Sequence, residues 1–146
     1  MSIRRATLSD IVAIEELLDQ LGYPDTAMFL VPKIKTIMSD TNAGVIVYEL
    51  NKKVVGLIAI NFVTQLAVKG DFARISYFVV NQAYRNTGIG QILESLCTNW
   101  AMHRGCDRIE LHCSDYRTAA HEFYKRCGYN ESSKYFVKKL TFENLH

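Results

Sequence analysis

Six apolar positions, Ile89, Ile92, Leu93, Leu96, Cys97 and Trp100, recur at helical spacing between two β-branched runs. The runs are Ala73–Val80 before the helix and Arg108–Cys113 after it. A strand, a helix and a second strand in one sheet make a parallel pair, because only a crossover connection returns the chain in the same direction. Upstream, Gly44–Leu50 and Lys53–Phe62 flank the turn residues Asn51 and Lys52 and read as a hairpin, which is antiparallel. The chain must therefore build a mixed sheet with helices on both faces.

The remaining elements fit around that unit. Ile3–Ala6 reads as a short first strand. Thr7, Ser9 and Asp10 supply capping groups for a helix carrying Ile11, Ile14, Leu17, Leu18 and Leu21, which Gly22 and Pro24 end. A less regular helical stretch with Met28, Phe29, Val31, Ile34, Ile37 and Met38 contains Pro32, which should break it into two pieces. Ala120, Phe123, Tyr124 and Cys127 mark a last helix stopped by Gly128, and Tyr129–Leu140 reads as two final strand pieces.

Composition narrows the setting. With 146 residues the chain has the length of a single domain, 1–146, and with 49% apolar residues it has a core to bury. A net charge of +2 supplies no electrostatic reason for a nucleic-acid or membrane partner. No apolar run approaches the ~20 residues of a membrane span, and no signal-peptide pattern follows Arg4 and Arg5. Cys97, Cys106, Cys113 and Cys127 contain no C-x-x-C pair and no zinc spacing, so they read as buried, reduced thiols of a cytoplasmic protein without a metal.

The chemistry concentrates between Phe78 and Gln91. A strand passes through a polar loop into the long helix, with Gly88 and Gly90 at its first turn. Unpaired backbone N–H groups at a helix start carry the positive end of the dipole, and glycines let a phosphate approach them closely. Arg85 stands where it can add a charge-assisted contact, so the segment suits a pyrophosphate. A Rossmann fingerprint fits less well. Leu93 occupies the place of its third small residue, and seven residues separate Val80 from Gly88.

Arg85-x-x-Gly88-x-Gly90 after Val79-Val80 resembles the coenzyme A signature of the GNAT superfamily of N-acetyltransferases. Arg117-x-x-Ala120-His121-x-Phe123-Tyr124-x-x-x-Gly128-Tyr129 resembles its C-terminal helix motif, and the likeness extends over nearly all of the chain. The finer match is to the aminoalkylphosphonate N-acetyltransferase type. The resemblance implies a GNAT-like α/β fold: a central mixed sheet of six to seven strands, about four flanking helices and a parallel pair splayed at the cofactor site. It implies acetyl-coenzyme A as cosubstrate, no metal, and a small-molecule or peptide amine as acceptor. Similar proteins are commonly dimers, and whether this chain is a homodimer stays open. The backbone of Phe78, Val79 and Val80 would pair with the pantetheine arm. Arg85, Asn86, Thr87, Gly88, Ile89, Gly90 and Gln91 would hold the pyrophosphate, and Tyr124 would protonate the departing thiolate.

The chain departs from the family on the strand before the loop, where many relatives place a glutamate that helps deprotonate the amine. Here that strand offers Arg74, Ser76 and Tyr77. Glu110, His112, Asp115 and His121 are substitutes, and a reaction without a side-chain base is the remaining alternative. Arg117 stands where relatives carry a pantetheine-contacting asparagine. Arg74, if aimed into the cleft, would favour an acceptor bearing a carboxylate or phosphonate. Cys113 as an acyl-carrying nucleophile lacks an adjacent base. The alternative to an enzyme is a non-catalytic coenzyme A-binding regulatory module.

Overall fold

The computed structural model describes residues 1–114, 116–132 and 135–141. Residues Met1–Leu111 form one compact unit and His112–His146 a second. The first holds β1 (Ser2–Arg5), a 3-10 turn (Leu8–Asp10), α1 (Ile11–Leu21), α2 (Ala27–Ser39), β2 (Ala43–Leu50) and β3 (Lys53–Val63). It continues with β4 (Phe72–Val80), a second 3-10 turn (Gln82–Tyr84), α3 (Ile89–His103) and β5 (Arg108–Leu111). The second unit holds α4 (Thr118–Arg126).

The five strands lie in the order β1-β2-β3-β4-β5. The pairs β1–β2, β2–β3 and β3–β4 are antiparallel, and β4–β5 is parallel, as the crossover through α3 requires. Asn51 and Lys52 both adopt positive φ, 51° and 63°, the backbone of a tight hairpin turn between β2 and β3.

The two faces of the sheet are covered by different helices. Ile14, Leu17, Leu30 and Ile34 of α1 and α2 pack with Val47, Leu57, Ala59 and Val79 on one face. Leu93, Cys97 and Ala101 of α3 pack with Ile58, Ile60, Phe62 and Ile75 on the other. Each fully buried Leu or Ile contributes about 1.5–3 kcal/mol relative to exposure. Gly56 lets α3 seat closely on β3, since a Cβ there would lie 3.1 Å from Leu93 and 3.3 Å from Ile89.

Three expectations are corrected. Pro32 does not break its helix: α2 is continuous, and the carbonyl that loses its partner belongs to Met28, on the exposed face. No strand forms in the described part of Tyr129–Leu140, so the sheet has five strands among the described residues rather than six or seven. The aromatic and β-branched content of that segment mimics a strand, but the Tyr129 amide bonds to the Tyr124 carbonyl and Gly128 to Lys125, closing α4. Finally, only Cys97 of the four cysteines is buried; Cys106, Cys113 and Cys127 are partly exposed.

Candidate active site

The middle of β4 sets the geometry. Its parallel ladder with β5 runs from Phe72↔Arg108 to Ile75↔Leu111 and stops there. At the same point the ladder with β3 slips: Ala59 faces Tyr77 while Ile60 faces Ile75, leaving Ser76 as an extra residue. Such a bulge bends a strand and sharpens its twist, here just where the β4–β5 ladder ends. It also resets the side-chain alternation. Ser76 hydrogen-bonds Asn61 at 2.8 Å, and Tyr77 lies opposite Ala59, so two consecutive residues share the α1/α2 face of the sheet.

Beyond Val80 the chain turns on Asn81, which is buried and fully engaged. Its amide donates to the Val55 carbonyl (2.7 Å), its own carbonyl accepts from Tyr84 (2.8 Å), and its Oδ1 accepts from Ala83 (3.0 Å). Gln20 of α1 accepts from the Gln82 amide at 2.9 Å and ties the loop to the helix layer. Arg85 Nε donates to the Val80 carbonyl at 3.3 Å, leaving the rest of its guanidinium exposed. Asn86 (φ 63°) and Gly88 (φ 89°) are both left-handed and fold the loop tightly ahead of α3.

No side chain caps α3, and its first turn carries no acidic residue. The first amide bonded back to this turn is that of Ile92, to the Gly88 carbonyl. Among the described residues, no side chain accepts from the amides of Thr87, Gly88, Ile89, Gly90 or Gln91, and a Cβ built on Gly88 meets nothing within 4 Å. The donor set at this turn fits a diphosphate: neutral backbone N–H groups, one nearby guanidinium and open space.

In the second unit, the Tyr124 ring meets Phe123 and Tyr129 edge-on, with centroids 5.4 and 5.6 Å apart. Burial, reinforced by Cys113 and only partly offset by Arg117, pushes its phenol up to about 12. It therefore remains protonated at neutral pH and can give a proton. His121 Nε2 lies 2.8 Å from the Ser114 carbonyl, which ties the ring to the turn before α4. His112 stacks on Tyr135 at 3.9 Å. Asp115 lies outside the described residues.

Two sequence candidates pair with each other. Glu110 accepts from Arg108 at 2.7 Å and from Arg74 at 3.2 Å. Burial raises its pKa, but the two guanidinium groups outweigh that and hold the carboxyl below its ordinary value, which makes it a weak base. Arg74, whose guanidinium also lies over Phe72, gives Glu110 one nitrogen, while its side chain stays 41% exposed and its Nε finds no partner among the described residues. Cys97, on the buried face of α3, has its thiol raised to about 12 by burial and is inert.

Sequence reasoning missed Asn81, Gln20 and the Ser76–Asn61 pair. A polar residue directly after Val80 was a legible corner signal for Asn81; nothing local marked Gln20 as a partner of a loop 62 residues away. Among the described residues, no three His, Cys, Asp or Glu side chains could hold a metal ion, and no helix is long and apolar enough to cross a membrane.

Residues 9–129 match the acetyltransferase (GNAT) family. An uncharacterized N-acetyltransferase of Methanocaldococcus jannaschii is 33% identical over 99 residues, which cover 66% of this chain and 43% of that protein. The chain thus spans less than half the length of that curated relative. Among solved structures, a transcriptional regulator from Bacillus halodurans superposes with a TM-score of 0.87 at 25% identity, covering 95% of this chain and 99% of that one. A GNAT family acetyltransferase from Staphylococcus aureus superposes at 0.80 with 24% identity, covering 96% and 100%.

Proposed function

Because this chain belongs to the GNAT acetyltransferase family, we propose that it transfers an acetyl group from acetyl-coenzyme A to a primary amine of a small molecule or peptide. The observation that carries the reading is the open start of α3, whose amides have no side-chain cap and whose loop is turned by Asn86 and Gly88. Arg85 through Gln91 bind the diphosphate, chiefly by backbone N–H. Phe78 to Val80, past the end of the β4–β5 ladder, offer backbone groups to the amides of the pantetheine arm, much as an edge strand accepts a peptide.

The amine attacks the thioester carbon directly. A C–N bond forms, the C–S bond breaks, and Tyr124 protonates the departing thiolate while the amine loses its proton to water. Deprotonating an alkyl ammonium of pKa ~10.4 at pH 7 costs about 4.6 kcal/mol. Glu110 is held by two arginines and does not relieve that cost. The rate should therefore climb with pH as free amine accumulates. The phenol, lifted to about 12, imposes no descending limb below pH 10. The partly exposed thiols of Cys106 and Cys113 favour a reducing, cytoplasmic setting.

A second reading, a coenzyme A-binding regulatory module, draws on the engaged Glu110 and on the B. halodurans neighbour, which is named a transcriptional regulator. Thiol release from acetyl-coenzyme A across a panel of primary amines separates the two. Turnover on any amine supports the transferase, and binding without turnover on all of them supports the sensor. Tyr124→Phe should lower kcat about 100-fold with coenzyme A affinity within about twofold; equal kcat would remove the phenol from the mechanism.

A further inference from the structure

We infer that Tyr23 and Tyr77 form the recognition corner for the acceptor, and that this acceptor is a primary amine joined to an aromatic ring by a short linker. The inference rests on the acyl-transfer reading above and deepens it. A chain extended along β4 from Val80 through Phe78 arrives at Tyr77 and Ser76, where the bulge has turned two consecutive side chains to one face.

Tyr23, between α1 and α2, closes that place from the helix side. Its ring meets Tyr77 edge-on, with centroids 5.4 Å apart and planes at 80°. Yet Tyr23 is 51% exposed and Tyr77 41%. Two rings at right angles, both open to solvent, present a face and an edge to a third ring, the arrangement that aromatic groups prefer.

The polar part of the corner lies one residue away. The Ser76 hydroxyl donates to Asn61 Oδ1 at 2.8 Å, and its oxygen keeps lone pairs that can accept from an amine N–H. Ser76 and Tyr77 are consecutive and share a face, so an acceptor that reaches both carries its amine and its ring on one short linker.

Two other acceptor chemistries compete with it: Asp25, exposed two residues from Tyr23, would suit a polyamine, and Arg74, which gives Glu110 a single nitrogen, would suit a carboxylate or phosphonate.

Initial rates with 2-phenylethylamine, spermidine and glucosamine, at saturating acetyl-coenzyme A, test the assignment on the full chain. The native protein should show the highest kcat/KM for 2-phenylethylamine. Tyr23→Ala should raise KM for that amine about tenfold, whereas Tyr23→Phe should keep the native value. Acetyl-coenzyme A affinity, measured by calorimetry, should stay within about twofold in both variants, since Tyr23 lies off the strand that carries it. Preference for spermidine or glucosamine would overturn the inference while leaving acyl transfer intact. So would an unchanged KM in Tyr23→Ala. Failure to bind acetyl-coenzyme A would remove both.

Discussion

The starts of α1 and α3 face the same physical problem in different surroundings. Each helix begins with backbone N–H groups that have no partner inside the helix. Ahead of α1 the chain supplies its own anion: Asp10 accepts from the Thr7 amide at 2.8 Å and from Arg4 through two bonds of 2.8 and 2.9 Å. Ahead of α3 it supplies glycine, left-handed backbone and no acid in the first turn. The turn leading into α1 is held by a carboxylate that is only 5% exposed, while no side chain caps α1 itself. What sets the α3 start apart is the left-handed loop of Asn86 and Gly88 and the open space at Gly88, since α2 and α4 have no side-chain cap either.

The largest effect should come from deforming the open start. Gly88 has φ 89° and open space around its missing Cβ, so a side chain there acts through backbone strain and not through collision. Gly88→Val, with a β-branched residue least able to adopt that φ, should weaken coenzyme A binding by about 100-fold, near 2.7 kcal/mol. Calorimetric titration of coenzyme A into the variant measures it. Native affinity would mean that the amides of this turn do not grip the ligand, and the contrast between the two helix starts would collapse.

How much of this was legible follows from what each signal depends on. The strand–helix–strand unit and the hairpin are written in local periodicity and turn residues, and these survive in the fold nearly residue for residue: Ile89 opens α3 and Lys53 opens β3. The Gly88 turn was legible because φ 89° needs glycine. The Ser76 bulge was not, because a bulge is a property of two strands in register, and no window along β4 records what Ala59 and Ile60 do opposite it. The state of Arg74 and Glu110 was hidden for the same reason: the pair is 36 residues apart in sequence and joined only by the parallel ladder. Tyr129–Leu140 shows the converse error, in which strand-like composition was read without evidence of a ladder to join.

A smaller effect, of the opposite kind, should follow from loosening the turn into α1. Arg4 hydrogen bonds hold the Asp10 carboxyl below its ordinary value against the opposing cost of burial. Asp10→Asn keeps the shape and loses the charge, which should cost about 2 kcal/mol of folding stability, with coenzyme A affinity unchanged. Because the folded-state pKa is lowered, the stabilisation is fully present above the unfolded carboxyl value of about 3.9 and fades as pH falls through the lower folded value. Urea titrations should therefore show a constant gap between native and variant from pH 7 to about 5, closing in stronger acid. A gap that persists unchanged in strong acid would show that the carboxylate's charge is not what holds the turn into α1.

The smallest change sharpens the comparison most, because it gives the α3 start the kind of acid that stands in the turn ahead of α1. Gln91 is exposed, three residues past the Gly88 cap, where an acid interacts favourably with the helix dipole. Gln91→Glu should stabilise the fold by about 0.3–1 kcal/mol, read as a modest rise in the urea midpoint. The same charge repels an incoming diphosphate, so coenzyme A should bind several-fold more weakly at low salt, and the deficit should shrink as ionic strength rises and shortens the screening length. Stability and affinity moving in opposite directions from one charge is what an uncapped binding start demands. If both rise together, the added carboxylate is not competing with a ligand, and the start of α3 is an ordinary helix end that happened to lack a cap.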